Sequence, residues 1–145
     1  LIDLKPRDAA ARERLAREAT DEMAASLAML AELGALPGAA LGRVLSRIGV
    51  VPETDARRAL GEADVIFEAV PETLQAKQEV FARICASAQP EAILASTTST
   101  ILVTHLVPLT THPERLINAH WLNPAFLIPV VELSAHPGTA PEAMV

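Results

Sequence analysis

Two short runs, ADVIFEAV at residues 63–70 and AILAST at residues 92–97, are apolar almost without interruption, and a stretch with helical spacing separates them. Strands this uniformly apolar suit a sheet covered on both faces. Strand, helix and strand in that order imply parallel pairing, because a parallel connection needs a crossover and a helix supplies it. In the intervening segment Leu74, Gln78, Phe81, Ile84, Cys85 and Ala88 fall on one predicted face, while Lys77, Glu79 and Arg83 project elsewhere. The expected fold class is therefore α/β.

The rest of the chain extends this pattern. LIDL at residues 1–4 reads as a short strand ending near an acid. A long helix follows from about Asp8 to Leu33, rich in Ala, Leu, Arg and Glu, and Gly34 supplies its stop. Pro37 opens a second short helix through Leu45, IGVV at 48–51 looks like a buried strand, Pro52 ends it, and DARRAL at 55–60 is a short helix. After AILAST, a short helix opened by Ser99 or its neighbours is expected. LINAHW at 116–121 and PVVELS at 129–134 read as two final strands, too close in sequence for a crossover helix, so an antiparallel edge is predicted. Thr139 and Pro141 could open one more helix.

A chain of 145 residues can bury about two thirds of its unfolded surface, enough for one domain with a real core. Half the residues are hydrophobic and 21% charged, and no apolar run approaches the roughly 18 residues that span a bilayer, so no membrane partner is expected. The net charge of -6, with basic residues scattered, argues against nucleic acid. Cys85 is the only cysteine, which fits a reducing, cytoplasmic setting. The chain opens without Met or a signal-peptide pattern, and both ends read as cut.

In an α/β sheet, ligands collect outside the C-terminal ends of the parallel strands. That rule selects Asp3, Glu72, the run Thr97, Thr98 and Ser99, and His120 with Asn123. Glu132 lies within an apolar strand, where a carboxylate is costly to bury without a partner. A Glu beside a strand-end His can set the ring tautomer, favour the protonated ring and leave the other nitrogen free to shuttle a proton. Ser99 and Asn123 could then hold an oxygen whose charge changes as the proton moves. Such a group suits interconversion of an alcohol and a ketone. Taken alone, His120 would be a structural histidine; the cluster reverses that reading. Glu68 and Glu72 lie four apart, but strand geometry argues against a glycosidase pair. His105, His112 and His136 show no metal spacing and read as surface residues, so no metal is expected. Cys85 and Trp121 read as packing residues.

These segments resemble the L-3-hydroxyacyl-CoA dehydrogenases. The resemblance is carried in order by EAVPETLQAKQEVF, ILASTTST, NAHWLNP and VVEL, with LIDLKPRD looser. It implies a Rossmann-type, doubly wound, mostly parallel sheet that lacks its first strand and glycine-rich turn. Residues 1–145 would then be a partial dinucleotide-binding domain, without the family's C-terminal helical substrate and dimerisation domain. The implied cofactor is NAD. Asp3 would bind the adenosine ribose, with Ala69, Glu72, Lys77, Thr97, Ser99 and Asn123 near the cofactor. His120 would be the catalytic base, Glu132 its partner, Ser99 the holder of the substrate oxygen and Asn123 a neighbour of nicotinamide and substrate. The implied reaction is oxidation of a 3-hydroxyacyl-CoA to the 3-oxoacyl-CoA, by a full-length homodimer acting on a small-molecule substrate.

Four departures bear on this. The glycine-rich phosphate turn does not precede LIDL, so this stretch alone is expected to bind NAD poorly. The C-terminal helical domain is likewise outside it. Thr97 stands where the family has Asn, and Pro129 where many fatty-acyl members have Lys. NPAFLIPVVEL is closer to the branch containing L-gulonate 3-dehydrogenase, lambda-crystallin and carnitine dehydrogenase. The alternatives are therefore a dehydrogenase of a free 3-hydroxy acid, or a catalytically silent protein on the same scaffold.

Overall fold

The structure is a computed structural model and describes residues 1–144. The chain forms two compact units, Leu1–Ala59 and Leu60–Val145.

In the first unit, α1 (Ala9–Glu32) begins where Asp8 accepts a hydrogen bond from the Ala11 amide and ends near Gly34, whose φ of 75° favours glycine. A 3-10 turn at Gly38–Ala40 leads into α2 (Leu41–Leu45). The strands expected at 1–4 and 48–51 shrink to one parallel bridge, Ile2 to Val51, held by Asp3 N to Val51 O at 2.9 Å and Val51 N to Leu1 O at 2.7 Å. Two segments that pair only with each other, over so few residues, do not build a ladder. The division between the units falls inside α3 (Ala56–Gly61).

The second unit holds β1 (Val65–Glu68), α4 (Leu74–Cys85), β2 (Ile93–Ser96), α5 (Val103–Leu106), β3 (Leu116–Trp121) and β4 (Val131–Ser134). The sheet order is β1-β2-β3-β4, with the first three strands parallel and β4 antiparallel at the edge. This is the parallel α/β arrangement anticipated from the apolar runs, and the Rossmann-like, mostly parallel sheet that the family resemblance implies.

Residues in register share a face, so Ile66, Leu94 and Leu116 point one way and Ala95, Ile117 and Ala119 the other. The second set packs with Ala143 from the closing 3-10 turn (Pro141–Met144). Lys77, Val80, Phe81 and Ile84 of α4 are buried. The predicted face of α4 was rotated: Leu74 is 53% exposed, whereas Lys77 is 1% exposed. The buried Glu68 carboxylate on β1 draws the lysine inward. The helix after β2 starts at Val103, so Ser99 sits in the preceding turn and does not open it.

Candidate active site

Alternation along LINAHW puts Leu116, Asn118 and His120 on one face of β3. Antiparallel pairing sets Glu132 of β4 directly opposite His120. Their side chains meet, with His120 Nδ1 and Glu132 Oε2 2.8 Å apart. An ionised carboxylate only accepts, so Nδ1 carries the ring proton and Nε2 keeps a free lone pair. Glu132 was expected to be buried; its side chain is 61% exposed, against 29% for His120. The reason is topological. β4 is the edge strand, and a carboxylate there keeps its water.

Ser99 lies in the turn after β2, and Glu72, in the loop between β1 and α4, organises that turn. Glu72 Oε1 accepts from the Thr98 and Thr100 hydroxyls and from the backbone amides of Ser99 and Thr100, both at 3.0 Å. Partial burial works against the charged form of Glu72, but the bonds from Thr98 and Thr100 and the Lys77 charge outweigh it and bring its pKa to about 2.

Lys77 connects this clamp to the interior. Its Nζ donates to Glu68 Oε1 and Oε2 at 3.1 and 3.0 Å and to Ser96 Oγ at 3.4 Å, and it lies 3.5 Å from Glu72. The Ser96 hydroxyl donates to Glu68 Oε2 at 2.6 Å, and the Val70 amide donates to Glu68 Oε1 at 2.8 Å. Glu68, Ser96 and Lys77 are all buried. Sequence reasoning weighed Glu68 only as half of a glycosidase pair and missed this network. Two signals were present: a carboxylate inside a nearly apolar strand, and a lysine at helical spacing with Val80, Phe81 and Ile84.

Ser99, His120 and Glu132 line one cleft of about 630 Å³, together with Asn118, Ser134 and residues 100–104. Asn123 stands apart from that lining, exposed on the loop between β3 and β4, where its bond to Pro124 is cis. Ala69 is exposed just beyond β1, and Thr97, just beyond β2, is half-buried with its amide donating to Glu68 O at 2.9 Å. His136, expected as a surface residue, is half-buried with both ring nitrogens engaged, by Pro113 O at 2.7 Å and the Gly138 amide at 3.1 Å.

In the first unit Asp3 follows the bridge residue Ile2, with its carboxylate held by Arg7 Nε at 2.5 Å and the Lys5 amide at 3.3 Å. Partial burial disfavours its charge, but the Arg7 and Lys5 contacts prevail and hold the carboxyl below its ordinary range. Asp3 borders a cavity of about 180 Å³ walled by Leu15, Ala16, Val50 and Pro52, with Arg12 and Glu13 also lining it. A carboxylate beside such a largely apolar wall fits the ribose and base of an adenosine. Each carboxylate oxygen has a second lone pair for a ribose hydroxyl. Among the described residues no group of three or more His, Cys, Asp or Glu could hold a metal ion, and no helix is long and apolar enough to cross a membrane.

Residues 5–145 match the family described as 3-hydroxyacyl-CoA dehydrogenase, NAD binding domain. The chain is 38% identical over 107 residues to an L-carnitine dehydrogenase of Pseudomonas sp, covering 74% of this chain and 33% of that protein. It is 40% identical over 91 residues to a 3-hydroxybutyryl-CoA dehydrogenase of Bradyrhizobium diazoefficiens, covering 63% and 30%. The crystal structure of 3-hydroxybutyryl-CoA dehydrogenase from Escherichia coli K12 superimposes with a TM-score of 0.79 at 32% identity, over 99% of this chain and 28% of that one. The chain thus spans about a third of the length of the curated relatives it matches.

Proposed function

Because this chain belongs to the 3-hydroxyacyl-CoA dehydrogenase family, through that family's NAD-binding domain, we propose that the full-length protein oxidises the hydroxyl of a 3-hydroxy substrate to a ketone. The observation that carries this reading is the His120–Glu132 pair at 2.8 Å, sharing a cleft with Ser99.

In this mechanism His120 Nε2 takes the proton of the substrate hydroxyl, and Glu132 stabilises the imidazolium through Nδ1. The Ser99 hydroxyl holds the substrate oxygen as the carbonyl forms. Bound NAD supplies the acceptor for the hydride that leaves the substrate carbon. Asp3 would hold the adenosine ribose. Ala69, Thr97 and Asn123, at strand ends or in the loop after β3, would border the rest of the cofactor. Lys77 and Glu72, placed near the cofactor by the family resemblance, act first on the protein itself by setting the turn that carries Ser99. The matched relatives extend well beyond the matched stretch, and the family resemblance implies a helical domain and a homodimer for the full-length protein.

The substrate named by the family is a 3-hydroxyacyl-CoA. A free 3-hydroxy acid is the second reading, favoured by Pro129 and by the similarity to L-carnitine dehydrogenase. The test is NADH formation by the full-length protein with 3-hydroxybutyryl-CoA and with free 3-hydroxy acids. Turnover of only one class selects between the two readings. NAD binding with no turnover of any substrate rejects both in favour of a silent scaffold.

A further inference from the structure

The segment after Asp3 gathers cations. Lys5, Arg7 and Arg12 line one pocket of about 100 Å³, opposed there by a single carboxylate, Glu53. Arg12 also lines the neighbouring cavity that Asp3 borders, so the two spaces share a guanidinium. In a chain of net charge -6, this grouping around one opening makes a local positive field. Neutralising Asp3 takes only Arg7, whose Nε lies 2.5 Å from Asp3 Oδ2. Helix stability does not account for Arg12, because a cation near the start of α1 opposes the helix dipole.

Distance connects this pocket to the ribose. A ribose hydroxyl bonded to Asp3 Oδ2 at about 2.7 Å lies within roughly 5 Å of Arg7 Nε. That gap admits one phosphate oxygen and one charge-assisted hydrogen bond of about 2.8 Å. Arg7 spends Nε on Asp3, and its terminal amino groups remain as donors suited to phosphate oxygens. In dinucleotide-binding folds an acid at this strand end holds the ribose 2′-hydroxyl, whereas an arginine beside it accommodates a 2′-phosphate. This chain carries both.

We infer that the pocket formed by Lys5, Arg7 and Arg12 receives the 2′-phosphate of NADP, so that the full-length protein takes NADP as well as NAD. The inference rests on the assignment of Asp3 to the adenosine ribose. Asp3 then keeps the 3′-hydroxyl, and the Arg7 charge offsets the repulsion between its carboxylate and the phosphate.

The test is calorimetric titration of the full-length protein with adenosine 5′-monophosphate, adenosine 2′,5′-bisphosphate and adenosine 3′,5′-bisphosphate, which requires no turnover. The 2′,5′-bisphosphate is expected to bind at least as tightly as the monophosphate, and about tenfold more tightly than its equally charged 3′,5′ isomer. Lys5→Gln, which keeps the backbone amide that holds Asp3, should weaken the 2′,5′-bisphosphate by about three- to tenfold and leave the monophosphate unchanged. Arg12→Gln should narrow the same difference. Weaker binding of the 2′,5′-bisphosphate than of the monophosphate overturns the phosphate site while leaving the NAD reading intact. So does equal or tighter binding of the 3′,5′ isomer, as the adenosine end of CoA would give, or a preference untouched by both substitutions. Failure of all three nucleotides to bind overturns the ribose role of Asp3 as well. The expected order of binding with no turnover of any 3-hydroxy substrate removes the dehydrogenase reading and leaves the phosphate site standing.

Discussion

At the residue scale, the site reduces to one rung of an antiparallel pair. His120 and Glu132 face each other because β3 and β4 are in that register, and a one-residue slip would send both side chains to the opposite face. Two predictions belong here. His120→Gln removes the proton acceptor, so turnover should fall by about 10² to 10⁴-fold while NAD affinity, measured by titration, is unchanged; undiminished turnover would take His120 out of the mechanism. Glu132→Gln can offer an N–H toward Nδ1 and so favour the wrong tautomer. Its kcat should drop by at least about tenfold, with little change in the KM for NAD.

At the element scale, the turn after β2 and the helix after β1 are joined through buried charge. Lys77→Met would leave the Glu68 carboxylate in the interior without its counter-charge, at a cost of about 3–5 kcal/mol in denaturant unfolding. Adding Glu68→Leu should recover at least half of that loss, since an apolar pair of similar volume carries no desolvation penalty. Glu72 acts differently, being about a third exposed. Glu72→Ala frees four donors of the Ser99 turn and should cost about 1–2 kcal/mol at pH 7. The folded pKa of about 2 lies below the ordinary 4.5, so the contribution of Glu72 is complete above pH 4.5 and is lost as pH falls toward 2. The stability gap between Glu72→Ala and the wild-type protein should therefore narrow across that window, as read by urea unfolding at several pH values.

At the scale of the whole molecule, the two units differ in how they are held. α1 has 24 residues and buries none of them fully, while the sheet of the second unit encloses Ala95, Leu116 and Ala119 almost completely. Hydrogen exchange should therefore be fast along α1 and slowest in β2 and β3, because protection follows burial and contact density. Equal protection in the two units would contradict this account.

What could be read from the sequence was what depends on local pattern. The apolar runs of β1 and β2, the alternation in LINAHW, the Asp8 cap and the closeness of β3 to β4 follow from side-chain period and backbone preference. The residue types of the cleft, His120, Ser99 and Glu132, were equally visible. Tertiary structure alone decided which polar groups are satisfied, and by whom. Lys77 turned inward because Glu68 needed a counter-charge across the helix–sheet interface, Glu132 stayed in water because its strand ended at the edge, and Glu72 reached a turn 26 to 28 residues away. Hydrogen bonds and ion pairs act across space between elements distant in sequence, and periodicity along the chain carries no record of them.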